Sequence, residues 1–151
     1  MASKTPTLDN DVRVFVYRFR VDNGRPPMPV DIGGALGAGS AEIEAALKRL
    51  ADDHVLVLAP GTPYIWLANP LSALPSPFPV TARGARYYGI CIWDALGVIA
   101  MLGDEGSVTS LCPDCGDELS LSVHDGSVEP NEYIVHYATP AAHWWDDIGT
   151  T

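Results

Sequence analysis

From Tyr87 to Gly103 the chain reads YYGICIWDALGVIAMLG, its longest apolar run. A run of this kind must go into a core. It is too short to span a bilayer and it carries a carboxylate. Read as a helix, it places Cys91 and Asp94 at i and i+3, one turn apart on one face. A carboxylate among apolar neighbours costs solvation energy unless it is paired or has a task. Two readings stay open on these residues alone. One is a core helix with an inert buried cysteine and an aspartate near its first turn. The other is a thiol and a carboxylate held together for chemistry.

The rest of the composition narrows the class. A chain of 151 residues with 47% apolar content can build one domain, or a small domain joined to a second lobe. Nineteen acidic against nine basic residues give a net charge of −10. That imbalance disfavours nonspecific binding to nucleic acid or to an anionic membrane. No segment resembles a signal peptide or a membrane span, so the expectation is a cytoplasmic protein with no membrane partner. Three cysteines are an odd number and argue against a disulfide scaffold. Reduced thiols or thiolate ligands are expected instead.

Taken in order, residues 1–10 read as a loose polar tail. Residues 11–21 (DVRVFVYRFRV) fit a strand through Val12, Val14 and Val16, and a helix through Val12, Phe15, Val16 and Phe19. Local pattern leans to the strand. A break at residues 22–27 precedes a short apolar helix over 30–36, ended by Gly37. Residues 40–50 predict the best-specified helix. Ser40 is the expected N-cap, Glu42 and Glu44 lie early and Lys48 and Arg49 late, and Ile43, Ala46, Leu47 and Leu50 form the buried stripe. Residues 55–58 and 64–67 predict a hairpin. Helices followed by a hairpin make a winged-helix order, but the 40–50 helix has too little positive charge for DNA recognition. Residues 69–79 hold four prolines and read as an extended linker. Residues 78–80 predict an edge strand, 107–111, 118–123 and 133–138 three further strands, and Trp144 and Trp145 an apolar cover for the core or for a pocket mouth.

The fold class is therefore α+β: a winged-helix-like N-terminal lobe (1–68), a Pro-rich linker (69–79), and a small mixed lobe (80–151) with a central helix and an antiparallel sheet. Outside the central run, Cys112 and Cys115 stand in a Pro-Asp turn before Gly116. Three readings are open for them: a structural turn, half of a zinc knuckle that needs further ligands, and a dithiol redox pair. Cys91 and a histidine among His124, His136 and His143 could complete a metal set. Individually the histidines are weak signals. His54 is expected at the surface, His124 in a turn, and His143 in an aromatic cluster. There is no phosphate-binding glycine loop, nucleophile elbow or HExxH motif.

The segment Tyr88-Gly89-Ile90-Cys91-Ile92-Trp93-Asp94-Ala95-Leu96 resembles the C-x-x-D-x-L segment of the organomercurial (alkylmercury) lyase family. The break at 22–26, the helix at 40–50, the proline-rich 70–79 and the strand pair around Cys112 and Gly116 resemble that family in the same order. The resemblance implies a helix over 11–21. It implies protonolysis of a carbon–mercury bond in a small organic substrate, with Cys91 as the thiolate, Asp94 as the proton relay and no separate cofactor. The family's second catalytic cysteine lies downstream of the strand pair, and no cysteine follows Cys115 here. Cys112 and Cys115 are then the candidate additional thiols. With Cys91 they form the candidate ligand set for Hg(II), zinc or copper. The alternatives are a non-catalytic metal-binding or regulatory protein, and a related lyase with a non-mercury substrate.

Overall fold

The structure is a computed structural model that describes residues 7–149. Three helices come first: α1 (Thr7–Asn23), α2 (Pro29–Leu36) and α3 (Ser40–Asp52). Helix α1 corrects the local strand pattern of 11–21. Val12 and Val16 are fully buried whereas Val14 is 39% exposed, so the 3.6-residue stripe faces inward and the two-residue alternation does not. Packing on the neighbouring helices overrides β-propensity there. The same helix takes in residues 7–10, which composition had placed in a tail. Residues 1–6 of that expected tail lie outside the described residues.

Helix α2 has Pro29 at its first position, and the Met28 N–H donates to the Asp31 carboxylate at 2.8 Å. Gly37 ends it at a φ of 66°. Helix α3 is capped one residue earlier than expected. The Gly39 N–H donates to Glu42 at 3.0 Å, while Ser40 is already helical and its hydroxyl bonds Glu44. The expected stripe of Ile43, Ala46, Leu47 and Leu50 is buried throughout. One ion pair locks α1 to α3. The Arg49 guanidinium grips Asp9 with two bonds, of 2.8 and 2.6 Å. The Asp9 side chain is only 3% exposed.

Strands β1 (Val57–Leu58), β2 (Ile65–Ala68) and β3 (Leu71–Ser72) form a small antiparallel sheet in that order. The expected hairpin is present, and a third strand is added from the proline-rich stretch. A second antiparallel sheet follows, ordered β5-β4-β6-β7-β8. Its strands are β4 (Phe78–Ala82), β5 (Ala85–Gly89), β6 (Gly106–Leu111), β7 (Glu118–His124) and β8 (Ser127–Val128). Helix α4 (Ile92–Leu102) connects β5 to β6 and packs on the sheet. Val80, Tyr87, Ala95, Val98, Ile99 and Val108 are the centre of this second core.

Three expectations are corrected in this half. Residues 78–80 are not at an edge, because β4 lies between β5 and β6. The central helix is shorter than its apolar run. Tyr87 and Tyr88 belong to β5, where Tyr87 pairs with Val80, and burial on a sheet uses the same apolar residues as burial on a helix. Residues 133–138 are not a strand. Sheet pairing stops at β8, and Pro130 has no N–H to extend the ladder.

Side chains of α1 join the two halves. The buried Arg20 guanidinium donates to the carbonyls of Gly24 and Ser72 and lies 5.9 Å from the centre of the Tyr87 ring. The Tyr17 hydroxyl donates to the Asn69 carbonyl at 2.8 Å. The molecule is thus α+β with two antiparallel sheets. Among the described residues no helix is long and apolar enough to cross a membrane. Because Asp9 is buried and its partner is half exposed, Asp9→Ala is expected to lower stability by about 1–3 kcal/mol in urea denaturation. Arg49→Ala should do the same, since it strands the buried carboxylate.

Candidate functional site

The site is built where β5 turns into α4. Gly89 ends the strand, and the Ser76 hydroxyl donates to its carbonyl. A Cβ on Gly89 would lie 2.5 Å from the Ala95 nitrogen and 2.8 Å from its Cα. Only a residue without a side chain lets the strand end come this close to the first turn of the helix. Cys91 is the N-cap of α4, in extended backbone, and not a residue within the helix. Its sulfur accepts the Asp94 N–H at 3.5 Å. The two groups are neighbours through a cap contact, which replaces the expected i,i+3 pairing along a helix face.

The electrostatics of the pair follow from burial. Burial pushes the Cys91 thiol up. The Asp94 amide pulls it back, and the Asp94 carboxylate adds to the rise. Burial also raises the Asp94 carboxyl, against the Ile90 N–H and the Cys91 thiol that donate to it. Both groups therefore hold a proton more readily than they would in water. The thiol and the carboxylate lie close enough that each shifts the other's hold on its proton.

A cavity of about 240 Å³ opens over this pair. Asn69, Ile90, Trp93, Tyr137, Trp144, Trp145 and Ile148 complete its lining. Its roof is the C-terminal segment, which carries a 3-10 helix (Ala141–Asp146). Trp144 donates its indole N–H to the Thr139 carbonyl at 2.8 Å and packs on Tyr137 with ring centres 5.2 Å apart. Trp145 stacks on the His54 ring at 4.0 Å, nearly parallel. Gly149 lies against the Trp66 indole, where a Cβ would come within 2.4 Å of the ring. The tryptophan pair thus covers a pocket mouth, one of the two roles expected of it. Burial raises the Tyr137 hydroxyl, and the negative charge of Cys91 and Asp94 raises it further.

Cys112 and Cys115 sit elsewhere, in the turn between β6 and β7. Cys112 N–H donates to the Asp117 carbonyl and Gly116 N–H to the Cys112 carbonyl, at 2.8 and 2.9 Å. Gly116 takes a φ of 79° to close the turn. Amide N–H groups of Cys115 and Asp114 hold the Cys112 thiol below its usual range. Cys115 receives a lowering bond from the Asp117 amide, but the Asp117 carboxylate and the Cys112 sulfur outweigh it and hold that thiol up. Cys91 follows β5 and Cys112 follows β6, at the same end of the sheet with β4 between them. Two strand spacings amount to roughly 10 Å. The structure brings Cys91 to Asp94 and Cys112 to Cys115. Among the described residues no group of three or more His, Cys, Asp or Glu is placed to hold a metal ion.

The histidines stay outside the pocket lining. His124 ends β7, where a turn was expected, and bonds Glu105 at 2.9 Å. His143 bonds Asp146 at 2.9 Å, and His54 serves as the stacking partner of Trp145. Sequence reasoning missed Asn69, Ile90, Trp93, Tyr137 and Ile148 as lining residues. Tyr137 lay in a presumed strand, and no local signal marks a loop residue that folds back over a distant helix cap.

Comparison with known proteins supplies a context. The family model for alkylmercury lyase (MerB) matches residues 71–151. The alkylmercury lyases of Bacillus cereus and Clostridium butyricum are each 33% identical over 73 residues, which is 46% of this chain and 34% of either relative. The match thus spans about a third of the length of those curated relatives. The crystal structure of the mercury-bound form of MerB2 superimposes with a TM-score of 0.64 at 18% identity, over 84% of this chain and 61% of that one. This is a likeness of fold.

Gly89→Ala is expected to force the strand end and the first turn of α4 apart, at a cost of about 1–3 kcal/mol in thermal or urea unfolding. The Cys91 thiol should also become more reactive toward a small alkylating reagent, because its burial and its cap contact loosen together. An unchanged alkylation rate in Gly89→Ala would show that the close approach does not position the thiol.

Proposed function

The chain belongs to the alkylmercury lyase family, and from that membership we propose that it cleaves a carbon–mercury bond by protonolysis at Cys91 and Asp94. One observation carries the reading. A thiol and a carboxylate, held together at the cap of α4 by the Asp94 N–H to Cys91 sulfur bond, form one wall of an aromatic-lined cavity. The walls suit the apolar organic part of an organomercurial, and the thiol suits its soft metal.

The steps use atoms already in place. The Cys91 thiol passes its proton to Asp94 as its sulfur bonds the mercury of R–Hg–X, and X leaves as the anion. Protonated Asp94 then delivers that proton to carbon. The electron pair of the carbon–mercury bond becomes the new C–H bond, and the hydrocarbon R–H leaves. Hg(II) stays on the sulfur, and Asp94, again a carboxylate, lies beside it until an external thiol removes the ion. Cys112 and Cys115 have no part in this sequence. The order of three helices and a small sheet supports reading the N-terminal part as a winged-helix-like lobe. Here it supplies His54 and Trp66 as seats for the roof. Three free thiols suit a reducing, cytoplasmic setting.

A binding-only protein is the second reading. The observation in its favour is that Cys91 is the only cysteine among the described residues lining the cavity. A single assay separates the two: release of hydrocarbon from an arylmercury compound in the presence of excess small thiol. Cleavage should be abolished by Cys91→Ser and slowed roughly 100-fold or more by Asp94→Asn. Capture of the arylmercury without hydrocarbon release would sink the lyase reading and leave the binding protein.

The pH profile is set by the two raised groups. Asp94 must be ionised to receive the thiol proton, so the acid limb should lie above the ordinary Asp value of about 3.9. Cys91 must keep its proton until mercury arrives, so the alkaline limb should lie above the ordinary Cys value of about 8.5. Rate measurements across this range check both limbs, and Asp94→Asn should remove the acid one.

A further inference from the structure

The turn between β6 and β7 is not used by the chemistry at Cys91, yet it carries two thiols on one closed loop. From its geometry we infer that Cys112 and Cys115 form a separate two-coordinate site for a soft, thiophilic cation such as Hg(II). Both cysteines are free, and Cys115 is exposed. The loop is already shaped by two backbone bonds, Cys112 N–H to Asp117 O and Gly116 N–H to Cys112 O. Cys112 and Cys115 stand three residues apart on that turn, near enough for each thiol to perturb the other. Asp114 and Asp117 lie in the same turn and act on the two thiols, so the local field draws in cations.

The number and kind of donors set the class of ion. Zinc in a structural site takes four ligands. Among the described residues the pair is not part of any group of three or more His, Cys, Asp or Glu placed to hold a metal ion. Two soft sulfurs on one turn favour a soft ion that is content with two ligands. Binding replaces the two thiol protons: Hg(II) and two S–H groups give two Hg–S bonds and two released protons. Because both sulfurs belong to one short turn, the second bond forms as a chelate. Cys91 takes no part, so the site does not depend on carbon–mercury cleavage.

The test uses the full chain with Cys91→Ser, kept reduced by a phosphine and titrated with mercuric chloride against a competing monothiol. The thiolate-to-mercury absorbance and the mass of the intact complex are the readouts. The expected result is one Hg(II) per chain, held roughly 100-fold more tightly than after a further Cys112→Ser or Cys115→Ser change. Circular dichroism should show all three proteins equally folded. Equal retention in either single-thiol protein, or a complex that only bridges two chains, would overturn the inference. Loss of cleavage at Cys91 would leave this titration untouched, so the two proposals fail separately.

Discussion

The close approach of Gly89 to Ala95 is the constraint on which the site depends. With no side chain between them, the end of β5 lies directly on the first turn of α4. Cys91, between them, has extended backbone and caps the helix. As a cap its sulfur meets the Asp94 amide, while the Asp94 carboxylate reaches back to the Ile90 N–H. Both contacts form at a junction that one missing methyl group allows. The rest of the second lobe holds this junction still: Val98 and Ile99 anchor α4 on the sheet and the Ser76 hydroxyl pins the strand end.

The cavity above the pair is completed from both halves of the molecule. Its floor comes from the β5–α4 junction, and its roof from the C-terminal segment. That roof is seated on His54 and Trp66 of the first half, through the Trp145 stack and the Gly149 contact. Arg20 and Tyr17 of α1 hold the two halves in register by bonding the Ser72 and Asn69 carbonyls. Asn69 is itself a lining residue. The N-terminal half therefore helps to shape a pocket in which Cys91 and Asp94 come from the other half.

The two thiol environments are opposites, and the physical cause is the same in kind. At Cys91 burial dominates, so the neutral thiol is favoured and its proton remains available to Asp94. At Cys112 burial is minor and the neighbouring amides lower the thiol below its usual range. The chain reaches both with cysteine by changing only what surrounds the sulfur.

Much of this was legible from residue order. The helix around Ile43, Ala46, Leu47 and Leu50 declared itself through its stripe and flanking charges. The proximity of Cys91 and Asp94 followed from three-residue spacing near a helix start, whichever side of the cap Cys91 fell on. The paired cysteines around Pro113 and Asp114 marked their own turn. What tertiary structure decided was every feature that needs a distant partner. Residues 11–21 carry both periodicities, and only packing on the neighbouring helices chooses the helix. Tyr87 and Tyr88 are apolar enough for either element, and pairing with β4 draws them into a strand. Tyr137 lines the pocket because Pro130 ends the ladder and the tail folds back. Local pattern encodes which face of a segment is apolar; only the assembled chain determines what that face meets.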